Sequence, residues 1–481
     1  TYLVSLAIYE YDVSYDYYVY VDYDSMPIHF YSFADVTAAV RAENMKTKHM
    51  IKFFSDTFGQ YPFIEEKYGH AMFLWGGAME HQTLTSMGAY FESIIAHELS
   101  HQWFGDLITC ADFHHIWLNE GFATYCEALW FEHQFGPEGL RQAQNRTKYF
   151  GPGTIYVEDT EKEEIFSGAL SYNKASWVVH MLRYYMGDET FFRFLRTYYD
   201  RFQYSTINTE QFRDLAKEVS GLELDTFFQQ WIYEEGHPVY EYLWLTEEVA
   251  SGKYKISGTI NQIQAYPTIF ELPIDLTIQT VTGETTHRLF VDQKLNTFEY
   301  LVDSQPLNVI LDKDDWILKQ VQQIKTPKFT LLRISIADST GNKNGEFEPG
   351  EEIELVIEIA NYGLPATNVT GELFTDEADI HIISNKAQFG DFAIGDSRSN
   401  IDQPFLLSAR EKANSHIAQL VLKLSSDEGF VSEITIYINL GMANILLVDD
   451  DNGTDYESFI QRFAFDAGLL TKTWDIYHSG D

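Results

Sequence analysis

The stretch His97-Glu98-Leu99-Ser100-His101, with Glu120 following inside Trp117-Leu118-Asn119-Glu120-Gly121, decides how this chain is read. Residues four apart on a helix project from one face, so His97 and His101 can reach a single metal ion. Glu98 is rotated away from them and is free to act on a water as a base instead of binding the ion. Glu120, from a second expected helix, supplies a third ligand. Three protein ligands with an open fourth position are the pattern of a catalytic zinc; a structural zinc is closed by four.

A bare His-Glu-x-x-His also arises by chance on solvated or packed helix faces, so the surroundings carry weight. Phe91-Glu92-Ser93-Ile94-Ile95-Ala96 is apolar enough to bury the helix, and Gln102-Trp103-Phe104-Gly105-Asp106 is expected to end it at the glycine. Eighteen residues separate His101 from Glu120, and Ile116–Ala123 opens the next helical run.

HELSHQWFGDLITC (97–110) followed by WLNEGFATYCEAL (117–129) resembles the aminopeptidase N and leukotriene hydrolase family of gluzincin metallopeptidases. Trp75-Gly76-Gly77-Ala78-Met79-Glu80-His81 is similar to that family's Gly-x-Met-Glu-Asn segment. Tyr172-Asn173-Lys174-Ala175-Ser176 resembles its Tyr-x-Lys-Gly-Ala segment, and Tyr2–Ala7 resembles the strand closing its N-terminal β domain. The resemblance spans about residues 1–325 and is strongest over 60–180. It implies a bacterial zinc aminopeptidase with a thermolysin-like catalytic domain, acting on peptides with a free N-terminus.

The implied mechanism uses zinc-activated water, with Glu98 as general base and Tyr172 stabilising the oxyanion. Glu80 would pair with the substrate's free ammonium, a charge-assisted contact that an internal peptide bond cannot offer. Gly76 and Gly77 would let backbone approach the substrate as a short edge strand, and Ala78 and Met79 would line the first side-chain pocket. Glu127, two turns beyond Glu120, is either a partner of a zinc histidine or a helix-surface charge. His81 stands where the family has Asn, and Ala175-Ser176 where it has Gly-Ala. The family's further amine-binding residue, from its N-terminal domain, has no counterpart to assign.

The chain has 481 residues, enough for several domains. With 33 Lys+Arg against 72 Asp+Glu its net charge is −39, which argues against nucleic acid and anionic membranes as partners. A solvated acidic surface accounts for the charge; a bias toward cationic peptides is the alternative. No apolar run reaches eighteen residues, so no membrane segment is read. Cys110 and Cys126 form neither a disulfide framework nor a metal pair, and are read as buried small hydrophobes, with a bridge between them left open.

The expected fold class is multidomain α+β. Residues 1–33 are read as the end of an N-terminal β domain mostly absent from this chain, and 34–237 as the catalytic domain. There Ile51, Phe54 and Phe58 mark one helix stripe, Trp177, Val178, Met181, Leu182 and Tyr185 another, and Phe212, Leu215 and Val219 a third. Period-two alternation at Leu272, Ile274, Leu276 and Ile278 marks a β-sandwich over 238–326. Ile353, Leu355, Ile357 and Ile359 mark an immunoglobulin-like module over 327–441, of the kind appended to secreted bacterial enzymes. Secretion or a periplasmic location is therefore expected. Residues 442–481 read as the first β–α unit of a further domain, cut short. Asp338, Asn342 and Asn344 lie in an oxygen-rich turn suited to calcium, though such turns also form without an ion.

Two other functions compete. The zinc ligands alone also fit an endopeptidase, and a binding protein built on an inactive peptidase core would need no chemistry. An intact Glu80 segment opposes the first, and intact Glu98, ligands and Tyr172 oppose the second.

Overall fold

The computed structural model describes residues 5–21, 24–338, 341–443, 445–449 and 470–475, and the chain divides into two compact units, Thr1–Gln322 and Gln323–Asp481. The first unit opens with a mixed five-stranded sheet. Its strands are β1 (Asp12–Val21), β2 (Asp24–Ser32), β3 (Tyr68–Met72), β4 (Ala78–Met79) and β5 (Thr85–Met87), in spatial order β1-β2-β3-β5-β4. In β2 the alternate residues Met26, Ile28, Phe30 and Ser32 are buried, the period-two signature of a strand with one face on a core. β2 runs parallel to β3, with Ile28 opposite Tyr68. Residues 12–32 therefore lie in the same sheet as β4. Ser5–Ala7 form no strand, and the rest of that expected strand, residues 2–4, lies outside the described residues.

Helices pack on this sheet. α1 (Ala38–Asn44) is followed by α2 (Thr47–Phe58), in which Met50, Ile51, Phe54 and Phe58 are buried along one face. Each such side chain contributes roughly 1.5–3 kcal/mol on burial. Gly59 ends α2 at φ 137°, where a Cβ would meet the Tyr199 ring at 2.8 Å. α3 (Glu92–Ser100) and α4 (Trp117–Phe135) follow, then α5 (Pro137–Arg146) and α6 (Ala175–Met186). Trp177, Val178, Met181 and Leu182 are buried in α6, and Phe212 and Leu215 in the helix Thr209–Ser220, which ends at left-handed Gly221. Tyr185 and Val219, on the edges of their stripes, are only partly buried.

Residues 239–323 add a three-stranded antiparallel sheet and a four-stranded sheet, and Leu272, Ile274, Leu276 and Ile278 join the same hydrophobic core as the helices. The core is continuous from Tyr18 to Leu318, so neither residue 33 nor residue 237 is a break in packing. No helix among the described residues is long and apolar enough to cross a membrane.

The second unit holds two antiparallel sheets sharing one core. Ile353, Leu355, Ile357 and Ile359 of the strand Glu352–Asn361 face Leu420, Leu422 and Leu424 of His416–Ser425 within that core. Beyond it, Ile445–Asp449 and Thr471–Asp475 pair in parallel, as a β–α–β connection requires; the helical run expected between them lies outside the described residues.

Candidate metal centre and peptide cleft

α3 is buried on nearly every side: Ile95, Ala96 and Leu99 sit in the core, and His97, Glu98 and His101 are also below a tenth exposed. The helix ends at Ser100 with His101 as its C-cap, one turn earlier than the expected stop at Gly105. Gly105 has another task. At φ 144° it folds the chain back until a Cβ there would lie 3.1 Å from His101 Nδ1, and Phe104 O comes within 2.9 Å of that same nitrogen. On His97 the equivalent nitrogen meets Glu127 Oε1 at 2.9 Å. Both acceptors require a proton on Nδ1, which leaves each Nε2 lone pair available to a metal.

The two Nε2 atoms converge on Glu120 Oε2, at 3.3 Å from His97 and 3.2 Å from His101. A tetrahedral zinc with bonds of about 2.0–2.1 Å has ligand–ligand edges of about 3.3–3.4 Å, so both histidine–Glu120 separations already match an edge of its coordination shell. Among the described residues, His97, His101 and Glu120 are the one group of three with this convergence. The electrostatics agree. Despite burial, Glu120 and Glu127 hold His97 well above its usual range, and Glu80 and Glu120 push His101 up to about 9. Burial acts to raise Glu120, but the two histidines outweigh it and hold the carboxyl low. Four glutamates around two imidazoles make a site that calls for a cation.

α4 brings Glu120 to this point. Its approach is fixed by Asn119, whose Oδ1 accepts the Cys110 amide at 3.0 Å, and by Gly121, where a Cβ would meet Ala175 Cβ at 2.5 Å. Ala175 opens α6, directly after a π-helical turn over Gly168–Lys174 that carries Tyr172. The wider turn lays the Tyr172 ring parallel to His97, centroids 5.8 Å apart, with its hydroxyl hydrogen-bonded to Glu120. Burial first, then Glu120, raises the phenol's pKa, so Tyr172 keeps its proton as a donor. Lys174 is buried as well, its ammonium 3.4 Å from Gly153 O, and burial pushes it down to about 8.

Glu98 is also withdrawn from water. Burial raises it to about 7 against the pull of His97 and His101, with Glu80 and Glu120 adding to the rise. Its Oε2 has no hydrogen-bond partner among the described residues, as suits a carboxylate poised to take a proton.

Glu80, 5% exposed, closes the arrangement. It follows β4, which among the described residues pairs only with β5 and so forms the sheet's edge. Gly77, at φ 95°, aims its carbonyl at the amides of Gly88 and Ala89 (2.9 and 3.0 Å). Gly88 admits no side chain, because a Cβ would lie 1.6 Å from Trp75 O. Ala78, Met79, Glu80, Glu98, Tyr172 and the three metal-binding candidates line one cavity of about 690 Å³. Gly77 shapes this wall through its backbone. His81 turns aside to Ser86 Oγ (3.0 Å) and is not among the lining residues.

Other lining residues escaped sequence reasoning. The apolar run before His97 places Phe91 and Ile94 in the buried helix, yet Phe91 is 68% exposed and both line the cavity. Ile94 sits three residues before His97 and seven before His101, so helical spacing already placed it on the ligand face; Phe91 is the extended N-cap of α3, outside that spacing. Phe166 reaches the cavity from an irregular segment that carries no periodic signal. Cys110 and Cys126 are buried and free, so no bridge joins them. In the second unit, Asp338 accepts the amides of Asn344 (3.0 Å) and Gly345 (3.1 Å), and Asn344 N also reaches Asn342 Oδ1.

Comparison with known proteins falls on this same region. Residues 78–231 match the family described as Peptidase family M1 domain. An aminopeptidase N of Lactococcus lactis subsp. cremoris is 36% identical over 162 residues, 31% of this chain and 19% of its own length. Aminopeptidase M1-A of Oryza sativa subsp. japonica is 38% identical over 158 residues, 30% of this chain and 18% of its own. The alanine/arginine aminopeptidase of Saccharomyces cerevisiae is 28% identical over 282 residues, 52% of this chain and 32% of its own. The chain thus matches about a fifth to a third of the length of these relatives. Legionella pneumophila aminopeptidase A, crystallised with aspartic acid, shares the fold over 65% of this chain and 38% of its own, with TM-score 0.55 and 19% identity.

Proposed function

From the match of residues 78–231 to the peptidase family M1 domain, we propose that the chain is a zinc-dependent aminopeptidase that removes the N-terminal residue from peptides. One observation carries the reading: Glu80 and the His97–His101–Glu120 cluster line the same cavity. A fixed carboxylate beside the metal ligands selects a substrate whose ammonium lies one residue from the scissile bond.

When bound by His97, His101 and Glu120, zinc supplies Lewis acidity for the scissile carbonyl and lowers the pKa of water. The rest falls to the chain's own groups. Glu98, raised to about 7, accepts a proton from water near neutral pH and returns it to the leaving amine. Tyr172, held protonated, gives a hydrogen bond to the carbonyl oxygen as negative charge develops there. The open edge of β4 offers backbone groups to an extended peptide. We also read the segment 34–237 as thermolysin-like, as the family resemblance implies, and 327–441 as immunoglobulin-like, as its strand alternation suggests.

The test is a peptide assayed with free and acetylated N-terminus. Cleavage of the free form only is expected; similar rates on both would replace this reading with an endopeptidase. A purified wild-type chain that never holds zinc would point to a binding protein instead.

A further inference from the structure

The side chain of Gln102, immediately after His101, is fully buried and uses its whole hydrogen-bonding capacity. Its Oε1 accepts the Thr83 amide at 3.0 Å and the Tyr61 hydroxyl at 3.2 Å. Its Nε2 donates to Asp106 Oδ2 at 2.7 Å and to the Glu80 carbonyl at 3.4 Å. The partners fix the orientation of the amide, since the Thr83 N–H only donates and the Glu80 carbonyl only accepts.

Thr83 is a second, independent sign. It is buried, β-branched, and holds φ at 62°, in the left-handed region that such residues avoid. A conformation of this kind persists where its surroundings over-determine it, and it clusters at ligand clamps. Here the over-determining contact is Gln102. The backbone of Gln102 is itself locked, its amide on Leu99 O and its carbonyl accepting from Leu107.

From these contacts we infer that Gln102 is a positioning residue for recognition of the substrate's amino terminus. It ties the Glu80–Thr83 loop to the end of the metal-binding helix and so sets how far Glu80 stands from the metal ligands. That spacing is the ruler that admits one residue ahead of the scissile bond. The inference rests on the aminopeptidase reading of the cavity.

The experiment compares wild type with Gln102→Met, which removes all four bonds at similar volume, and Gln102→Glu, which keeps the two acceptor bonds and loses both donations, to Asp106 and to the Glu80 carbonyl. Zinc content, kcat and KM are measured on an aminoacyl anilide and its N-acetylated form. In zinc-loaded Gln102→Met, KM for the free-amine substrate should rise about tenfold or more, the loss of one charge-assisted contact, while kcat changes less. Its preference for the free over the acetylated form should fall in step, and Gln102→Glu should lie between it and wild type. Should Gln102→Met fail to hold zinc, Gln102→Glu alone decides. An unchanged KM and unchanged preference in a zinc-loaded variant overturns the inference, as does an equal loss on both substrates, the mark of a merely structural role. Wild type with no preference for a free N-terminus would instead overturn the functional reading beneath it.

Discussion

Glu127 Oε1 stands 2.9 Å from His97 Nδ1, reaching back from the middle of α4 to the imidazole on α3. The bond sets the ring's tautomer and makes its Nε2 a better donor to a metal. Glu127→Ala should therefore leave the fold intact and weaken zinc binding about 10–100-fold, the usual cost of losing such a partner. Competition against a chromogenic chelator measures this directly. An unchanged zinc affinity would reduce Glu127 to a surface charge.

Glu98 and Glu120 lie on facing helices, 22 positions apart in sequence, and should separate cleanly by mutation. Glu98→Ala removes a proton acceptor outside the ligand cluster, so zinc stays and turnover falls about 10²–10⁴-fold. Glu120→Ala removes a ligand, and both zinc and turnover go. Metal analysis beside steady-state rates reads the pair; substantial turnover in Glu98→Ala would sink the mechanism.

Tyr172→Phe keeps the ring beside His97 and deletes only the hydroxyl. If that hydroxyl meets the developing oxyanion, kcat should drop about 10²–10³-fold with KM and zinc content nearly unchanged. A rise in KM with kcat intact would move Tyr172 from transition-state stabilisation to ground-state binding.

What the sequence reveals of this site divides by range. His97 and His101, the stripe at Ile51, Phe54 and Phe58, and the alternation at Ile353 to Ile359 are local patterns, and helical or strand spacing makes them legible. Tyr172 is one of 31 tyrosines, and only family resemblance picks it out. The π-helical turn that aims it departs from the 3.6-residue period on which pattern reading depends. Long-range pairing is also silent in sequence. Nothing in the alternation of β2 says that it lies parallel to Tyr68–Met72, so residues 12–32 read as another domain's end. Gly88 reads as an ordinary loop glycine until Trp75 O is found where its side chain would be.

Stability should fall in acid through His70 and His180. Burial is the main cause that pushes both imidazoles down to about 3, with Arg183 adding to the effect at His180. Above the ordinary value near 6.5 they are neutral in both folded and unfolded chains and add no pH dependence. Below it the unfolded chain binds protons that the folded chain refuses. Stability is therefore lost as pH falls from about 6.5 toward 3, by about 1.4 kcal/mol per pH unit for each histidine. Urea unfolding followed by tryptophan fluorescence at pH 7.5, 6 and 5 should show the midpoint falling, and His180→Asn should flatten the slope. An identical slope in that variant would remove His180 from the account.

Gly121 and Ala175 make the contact through which the two halves of the catalytic machinery share a register. Gly121 follows Glu120, and Ala175 lies three residues after Tyr172, so the gap between α4 and α6 sets where ligand and phenol meet. A methyl group at 121 would sit 2.5 Å from Ala175 Cβ and 3.2 Å from its carbonyl carbon, closer than the helices tolerate without moving apart. Overpacking of this kind costs about 1–3 kcal/mol. Gly121→Ala should thus lower stability by that amount and reduce kcat more than loss of stability explains, because the Tyr172–Glu120 contact opens. Pairing it with Ala175→Gly, which returns the space, should recover much of both losses. If the double variant is as impaired as Gly121→Ala alone, the contact does not set the register, and the small residue at 121 answers to helix packing only.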